Sequence, residues 1–184
     1  MKFRPKQLAA CLVLLSAVLS SPAPPLHAQA SGDKADEKSQ ADKAAAQAVV
    51  DKTEKLVRLM KEDSFNYVTT SSPTVFVIHF TGEHLKDIKV ILAIGTDEDS
   101  DLVIFVTVTP KATMPPTADF RYKLLKANHD YDQVKVGFDG DDDLSVRIDA
   151  SMRLADATYL KNVVTQVKNA SDEIYGEIQP QLIP

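Results

Sequence analysis

Acidic side chains come nearest to a chemistry in this chain of 184 residues. Asp97-Glu98-Asp99-Ser100-Asp101 has the D-x-D-x-D opening of a calcium loop. The loop needs glycine at its sixth position and glutamate at its twelfth, and it needs flanking helices. Leu102 and Val108 stand at those positions, and the flanks read as strands, so a solvated hairpin turn accounts for the run. Asp139-Gly140-Asp141-Asp142-Asp143 repeats the case, with Leu144 and Ala150 at the two positions. Its carboxylates leave weak, unspecific calcium binding open; otherwise it is an acidic turn.

Histidines and nucleophiles give less. His79, His84 and His129 are the histidines beyond residue 30, and no H-e-x-x-H spacing joins them on one helical face. His79, between Ile78 and Phe80, is expected half exposed on the polar face of a strand. There is no G-x-S-x-G, and glycine is too scarce for a phosphate-cradling loop. Ser71-Ser72-Pro73 is turn material. Asn169-Ala170-Ser171 is a glycosylation sequon by pattern, but it falls within a helix. The residue types therefore point to no catalytic group, no cofactor and no metal.

The elements that would position any site follow from the apolar pattern. Lys2, Arg4 and Lys6, then Leu8 to Leu19, then Ala28-Gln29-Ala30 have the charge, apolar run and small-residue site of a secretory signal, residues 1–30. The run is short for a membrane span, which takes ~20 residues. Cleavage after Ala30 places the protein in the periplasm or outside the cell. Leu8-Ala9-Ala10-Cys11 also spells a lipobox, with Cys11 as the alternative lipidated start. The cysteine nearly begins the apolar run, however, where a lipobox would end it. Beyond the signal stand 18 basic and 26 acidic residues, a net charge of −8. That charge repels nucleic-acid backbones, and Lys123 and Lys126 are too isolated to form a basic patch. Cys11 is the only cysteine, so the exported part has no disulfide or thiol chemistry. Without tryptophan there is no Trp platform for sugars.

Residues 31–48 read as a polar, flexible leader. Val49, Val50, Leu56, Val57 and Met60 recur at helical spacing and predict a helix over about 42–62. Strands follow at 65–69, 74–80, 88–94 and 102–109. Thr117 caps a short helix over 118–129. Strands at 134–138 and 144–150 flank the hairpin dipeptide Asp139-Gly140. A last helix runs over 154–178, ended by Pro180, with a tail at 179–184. The order α-β-β-β-β-α-β-β-α predicts an α+β fold, an antiparallel sheet of about six strands with helices packed on one face.

This order resembles the YbjN family, of the type III secretion chaperone-like fold. The likeness rests on Leu124-Leu125-Lys126-Ala127-Asn128 before a strand, the acidic turn Asp139-Gly140-Asp141, and Leu144-Ser145-Val146-Arg147-Ile148-Asp149 after it. It covers residues 49–178. The export signal and polar leader depart from family members, which usually lack a signal and work in the cytoplasm. The resemblance implies a non-catalytic, two-layer protein, paired as a homodimer, that holds or regulates another polypeptide through a free sheet edge and apolar grooves. The expected function is an exported protein- or peptide-binding domain, chaperone-like or regulatory, with no integral membrane segment. Val49, Val57 and Met60 of the first helix and Val163, Val167 and Ile174 of the last are the candidate contacts, unless they form the core. The competing function is an envelope protein that holds a small apolar ligand or lipid between helix and sheet.

Overall fold

The computed structural model describes residues 32–95 and 102–184. The expected export signal and the acidic run at 97–101 lie outside them. The described residues divide into two units, residues 32–45 and those from 46 to 184.

Helix α1 spans Gly32–Glu62 and begins ten residues before the position that periodicity alone predicts. The added turns are rich in Ala, Lys, Glu and Gln, all good helix formers, so the helix extends without an apolar stripe to bury. Strands β1 (Tyr67–Thr69), β2 (Val75–Phe80), β3 (Ile88–Ile94) and β4 (Leu102–Thr109) follow, then helix α2 (Ala118–Asp130). Strands β5 (Lys135–Phe138) and β6 (Leu144–Ala150) form a hairpin, and α3 (Ala157–Ile178) completes the fold. Thr117 caps α2 by accepting from the Phe120 N–H. Asp156 caps α3 by accepting from the Tyr159 N–H, which starts that helix three residues later than expected and leaves Leu154 exposed.

The strands make one sheet in the order β1-β2-β3-β4-β6-β5, antiparallel throughout. The fold is α+β, as the element order predicts. The closing hairpin enters with β6 against β4, leaving β1 and β5 at the edges. Its tip turns at Asp142, which has φ of +63°. Asp139 stabilises that turn by accepting the Asp141 and Asp143 N–H groups at 2.9 and 3.1 Å.

The register aligns the core in cross-strand rows. Phe76, Leu92, Ile104 and Ile148 form one, and Val106, Val146 and Val136 another. These side chains join Leu56 and Met60 of α1, Phe120 and Leu124 of α2, and Leu160, Val164 and Val167 of α3 in a single buried cluster. All three helices therefore contribute to the same face of the sheet. Burying each such side chain contributes ~1.5–3 kcal/mol.

Candidate functional site

The other face of the sheet is where the molecule departs from a half-solvated sheet. Side chains alternate between faces along a strand, so the partners of the core rows define this second face. One row crosses all six strands, as Val68, Val77, Ile91, Phe105, Arg147 and Lys135. The next is Val75, Ala93, Val103 and Asp149. Seven apolar side chains thus lie side by side over β1 to β4. None belongs to the core cluster or packs against it. Val68 is 55 % exposed and the others are half-buried. At Gly137 on the same face, an added Cβ would meet no atom within 4 Å. Among the described residues, nothing covers this surface.

Strand composition explains the pattern. β6 alternates in residue type, with Leu144, Val146, Ile148 and Ala150 on the core parity and Ser145, Arg147 and Asp149 on the other, where Ser145 is itself buried. β2, β3 and β4 are apolar on both parities, which is how strands read when both faces are buried. His79 does lie here with its side chain 51 % exposed, as expected, but the face is apolar rather than polar over most of its width.

Charge is confined to two flanks. At one, Arg147 Nη2 lies 2.8 Å from Asp149 Oδ1 and 3.0 Å from Oδ2, and Lys135 Nζ is 2.7 Å from Oδ2. A single Arg147 nitrogen straddles the carboxylate, so Oδ1 is ion-paired without an aligned hydrogen bond of its own. Burial works against the charge on Asp149, but Lys135 and Arg147 outweigh it and hold the carboxyl below its ordinary range. At the other flank, His79 Nδ1 is 3.2 Å from Asp87 Oδ1, and Lys89 Nζ is 3.4 Å from Oδ2. The His79 hydrogen bond, opposed by slight desolvation and aided by Lys89, lowers the Asp87 carboxyl.

Edge pairing, the expected route to an extended peptide, is poorly served. The Asn128 side chain binds the outer edge of β5, donating to the Val136 carbonyl at 2.8 Å and accepting its N–H at 2.7 Å. β1, the opposite edge, is three residues long. Asn128→Ala is expected to cost about 1–2 kcal/mol, because two backbone groups lose their partner but water can reach an edge. Urea unfolding, with amide exchange at Val136, reads the loss.

The loop between β2 and β3 is tied to α3 by one carboxylate. The N–H groups of Glu83, His84 and Leu85 donate to Asp172 at 2.7, 3.0 and 2.7 Å. Burial raises the Asp172 carboxyl, but the three donors, Leu85 foremost, bring it below the ordinary value. A Cβ at position 82 would stand 2.2 Å from Asp172 Oδ1, so glycine there is what admits the carboxylate. This anion cradle is filled by the chain's own side chain. Tyr131 donates to Glu173 on α3 at 2.6 Å, and burial followed by that acidic partner raises its phenol.

A cleft of about 580 Å³ lies between the start of α2 and the tip of the β5–β6 hairpin. Met114, Pro115, Phe120 and Phe138 give it apolar walls, and Arg121 and Lys111 are its cations. Lys111 is bound to the hairpin tip, its ammonium to Asp142 and its N–H to Asp143 Oδ1 at 2.8 Å. Three of the four carboxylates of that turn thus serve protein donors. Among the described residues, no group of three or more His, Cys, Asp or Glu is placed to hold a metal ion.

The candidate contacts read from helical periodicity fall largely in the core. Met60, Val163, Val167 and Ile174 are at most 2 % exposed, and Val49 and Val57 are half-buried and packed against the core cluster. The same apolar stripe that marks a helix for docking marks it for the nearest sheet, and the sheet of this chain takes it. The sequon is closed as well, since Ser171 is buried and donates to the Val167 carbonyl at 2.7 Å. The open face escaped that reading, although its signal was present: apolar residues at both parities of three consecutive strands. Among the described residues, no helix is long and apolar enough to cross a membrane. No family model matches the chain, and no curated protein matches it either.

Proposed function

We propose that this is an exported, non-enzymatic domain that works by binding protein, in the manner of a chaperone or a regulator, and that it does so through the open face of its sheet. One observation carries the reading: seven contiguous apolar side chains, from Val68 to Phe105, lie on a surface the helices leave bare. Apolar side chains gathered on one face and left partly open to solvent suit an interaction site. The pattern at Met1 to Ala30 supports export, to the periplasm or beyond.

A photo-crosslinking amino acid at position 105, in cells that export the protein, tests this. The expected result is a polypeptide adduct at 105, on a chain beginning at Ser31, and none at the exposed control position Lys123. Equal labelling at the two positions overturns the reading.

The cleft favours a second reading. Its volume is within the range of small-ligand sites, ~300–1,000 Å³. With Phe138 53 % exposed and Arg121 beside it, it suits an apolar molecule bearing one negative charge. Mass spectrometry of an organic extract of the purified protein would show such a molecule, reduced in Arg121→Ala.

A further inference from the structure

We propose that helix α2, with the strand β5 beside it, forms a surface that adsorbs to an anionic lipid bilayer. The inference goes beyond the reading of the sheet's open face and concerns a different part of the molecule.

Exposure locates the surface. Tyr122 and Leu125 are each 69 % exposed and Phe138 is 53 % exposed, three of the seven large apolar side chains left open to solvent among the described residues. Scattered singly, such residues need no explanation. These three are gathered. Asn128 binds α2 to β5 at Val136, and Phe138 lines one cleft with Arg121 of α2. None of the three belongs to the core cluster or packs against it.

Helical geometry gives the surface its order. Phe120, Leu124 and Ala127 are the buried face of α2. At about 100° per residue, Tyr122 and Leu125 stand opposite that face, with His129 between them. Arg121 follows on one side and Lys126 on the other, each about 40° away. Asp119 and Asp130 fall beyond Lys126, outside this arc. Both cations are exposed, and among the described residues no ion pair engages either. Isolated along the sequence, they bracket an apolar stripe on the helix.

An apolar stripe between cations is the pattern of a helix that lies in a membrane interface, its apolar side chains at the acyl boundary and its cations among the headgroups. The chain as a whole is acidic, with 26 acids against 21 bases. Charges more than ~8 Å away are screened at physiological salt, however, so the local cations decide.

Size separates a bilayer from a protein partner. Thirteen residues of helix give a strip about 20 Å long and ~10 Å wide, roughly 200 Å², against the ~800 Å² that a standard protein interface takes from each side. The strip is also convex, with side chains that project and no groove to receive a partner's. A bilayer needs no complementary shape and accepts a projecting leucine and tyrosine as they stand.

Sedimentation of the purified protein with lipid vesicles tests the proposal. Vesicles of equal parts phosphatidylglycerol and phosphatidylcholine should bind it, and pure phosphatidylcholine at least ~10-fold more weakly. Lys126→Glu should weaken binding to the anionic vesicles at least ~5-fold. The double variant Tyr122→Ser with Leu125→Ser should weaken it at least ~10-fold. All three positions are exposed, so an unchanged thermal transition is expected. Lys161→Glu, the same charge change at an exposed position of α3, should shift binding by less than about two-fold. Tyr122→Trp gives the chain its single tryptophan, whose emission should move to the blue on anionic vesicles. A wild-type protein that stays in the supernatant at ~1 mM anionic lipid, where even one weak anchor binds, overturns the proposal. So does binding that Lys126→Glu and the double variant leave intact, or that Lys161→Glu weakens as much. Polyglutamate that displaces the vesicles and shifts the tryptophan equally would assign the surface to an acidic polypeptide and overturn the bilayer. None of these outcomes bears on an adduct at position 105, so the reading of the sheet face stands or falls separately.

Discussion

Asp172→Ala is expected to lower stability by about 3 kcal/mol, the loss of three charge-assisted backbone hydrogen bonds partly made good by water. In a domain of this size that is a fall of about 6–12 °C in melting temperature. Asp172→Asn should cost about half as much, because one amide oxygen can still serve His84 and Leu85 while the Glu83 N–H is lost. The effect depends on pH with a fixed sign. The folded carboxyl titrates below its ordinary value of 3.8. Its contribution is therefore complete above the unfolded value and is lost as pH falls through the folded one. Melting curves at neutral pH should separate wild type from Asp172→Ala, and the gap should begin to narrow below about pH 4. A gap that persists unchanged in acid would show that the carboxylate is not what ties the β2–β3 loop to α3.

The second large effect contrasts two adjacent residues of β4. Ile104 is fully buried under α3, and Ile104→Ala should cost about 3–4 kcal/mol in transfer and cavity terms. Phe105, one residue on, points to the opposite face, and Phe105→Glu should change the stability of a single protomer by no more than about 1 kcal/mol. Urea midpoints with unchanged slopes read both, taken at low concentration so that association does not enter. An equal cost at the two positions would mean that the face is covered within the chain, and the case for a partner there would fall.

Most of the architecture was legible in the amino acids because the strands are β-branched runs between polar turns. Ile88–Ile94, Leu102–Thr109 and Leu144–Ala150 stand where composition places them. Boundaries set by a single cap or by bare propensity were not. Asp156 moves the start of α3, and the alanines before Val49 prolong α1 toward Gly32. The site was harder to read for two physical reasons. Contacts such as Asp172 with Glu83 join residues 89 positions apart, and no local pattern announces them. An apolar stripe on a helix also looks the same whether it meets its own sheet or another molecule. Met60 and Val167 meet their own, whereas Val77 and Ile91 gave the better clue because they add apolar surface on the parity a one-sided sheet would make polar.

The side-chain amide at Asn128 has one more consequence. By occupying the outer backbone groups of Val136, it denies that margin to any incoming chain that would extend the sheet as a template. A protein this rich in valine and isoleucine strands is thereby shielded from fibril growth on the β5 side. Losing this one residue should shorten the lag before cross-β material forms at elevated temperature, well beyond what its modest cost to folding would suggest.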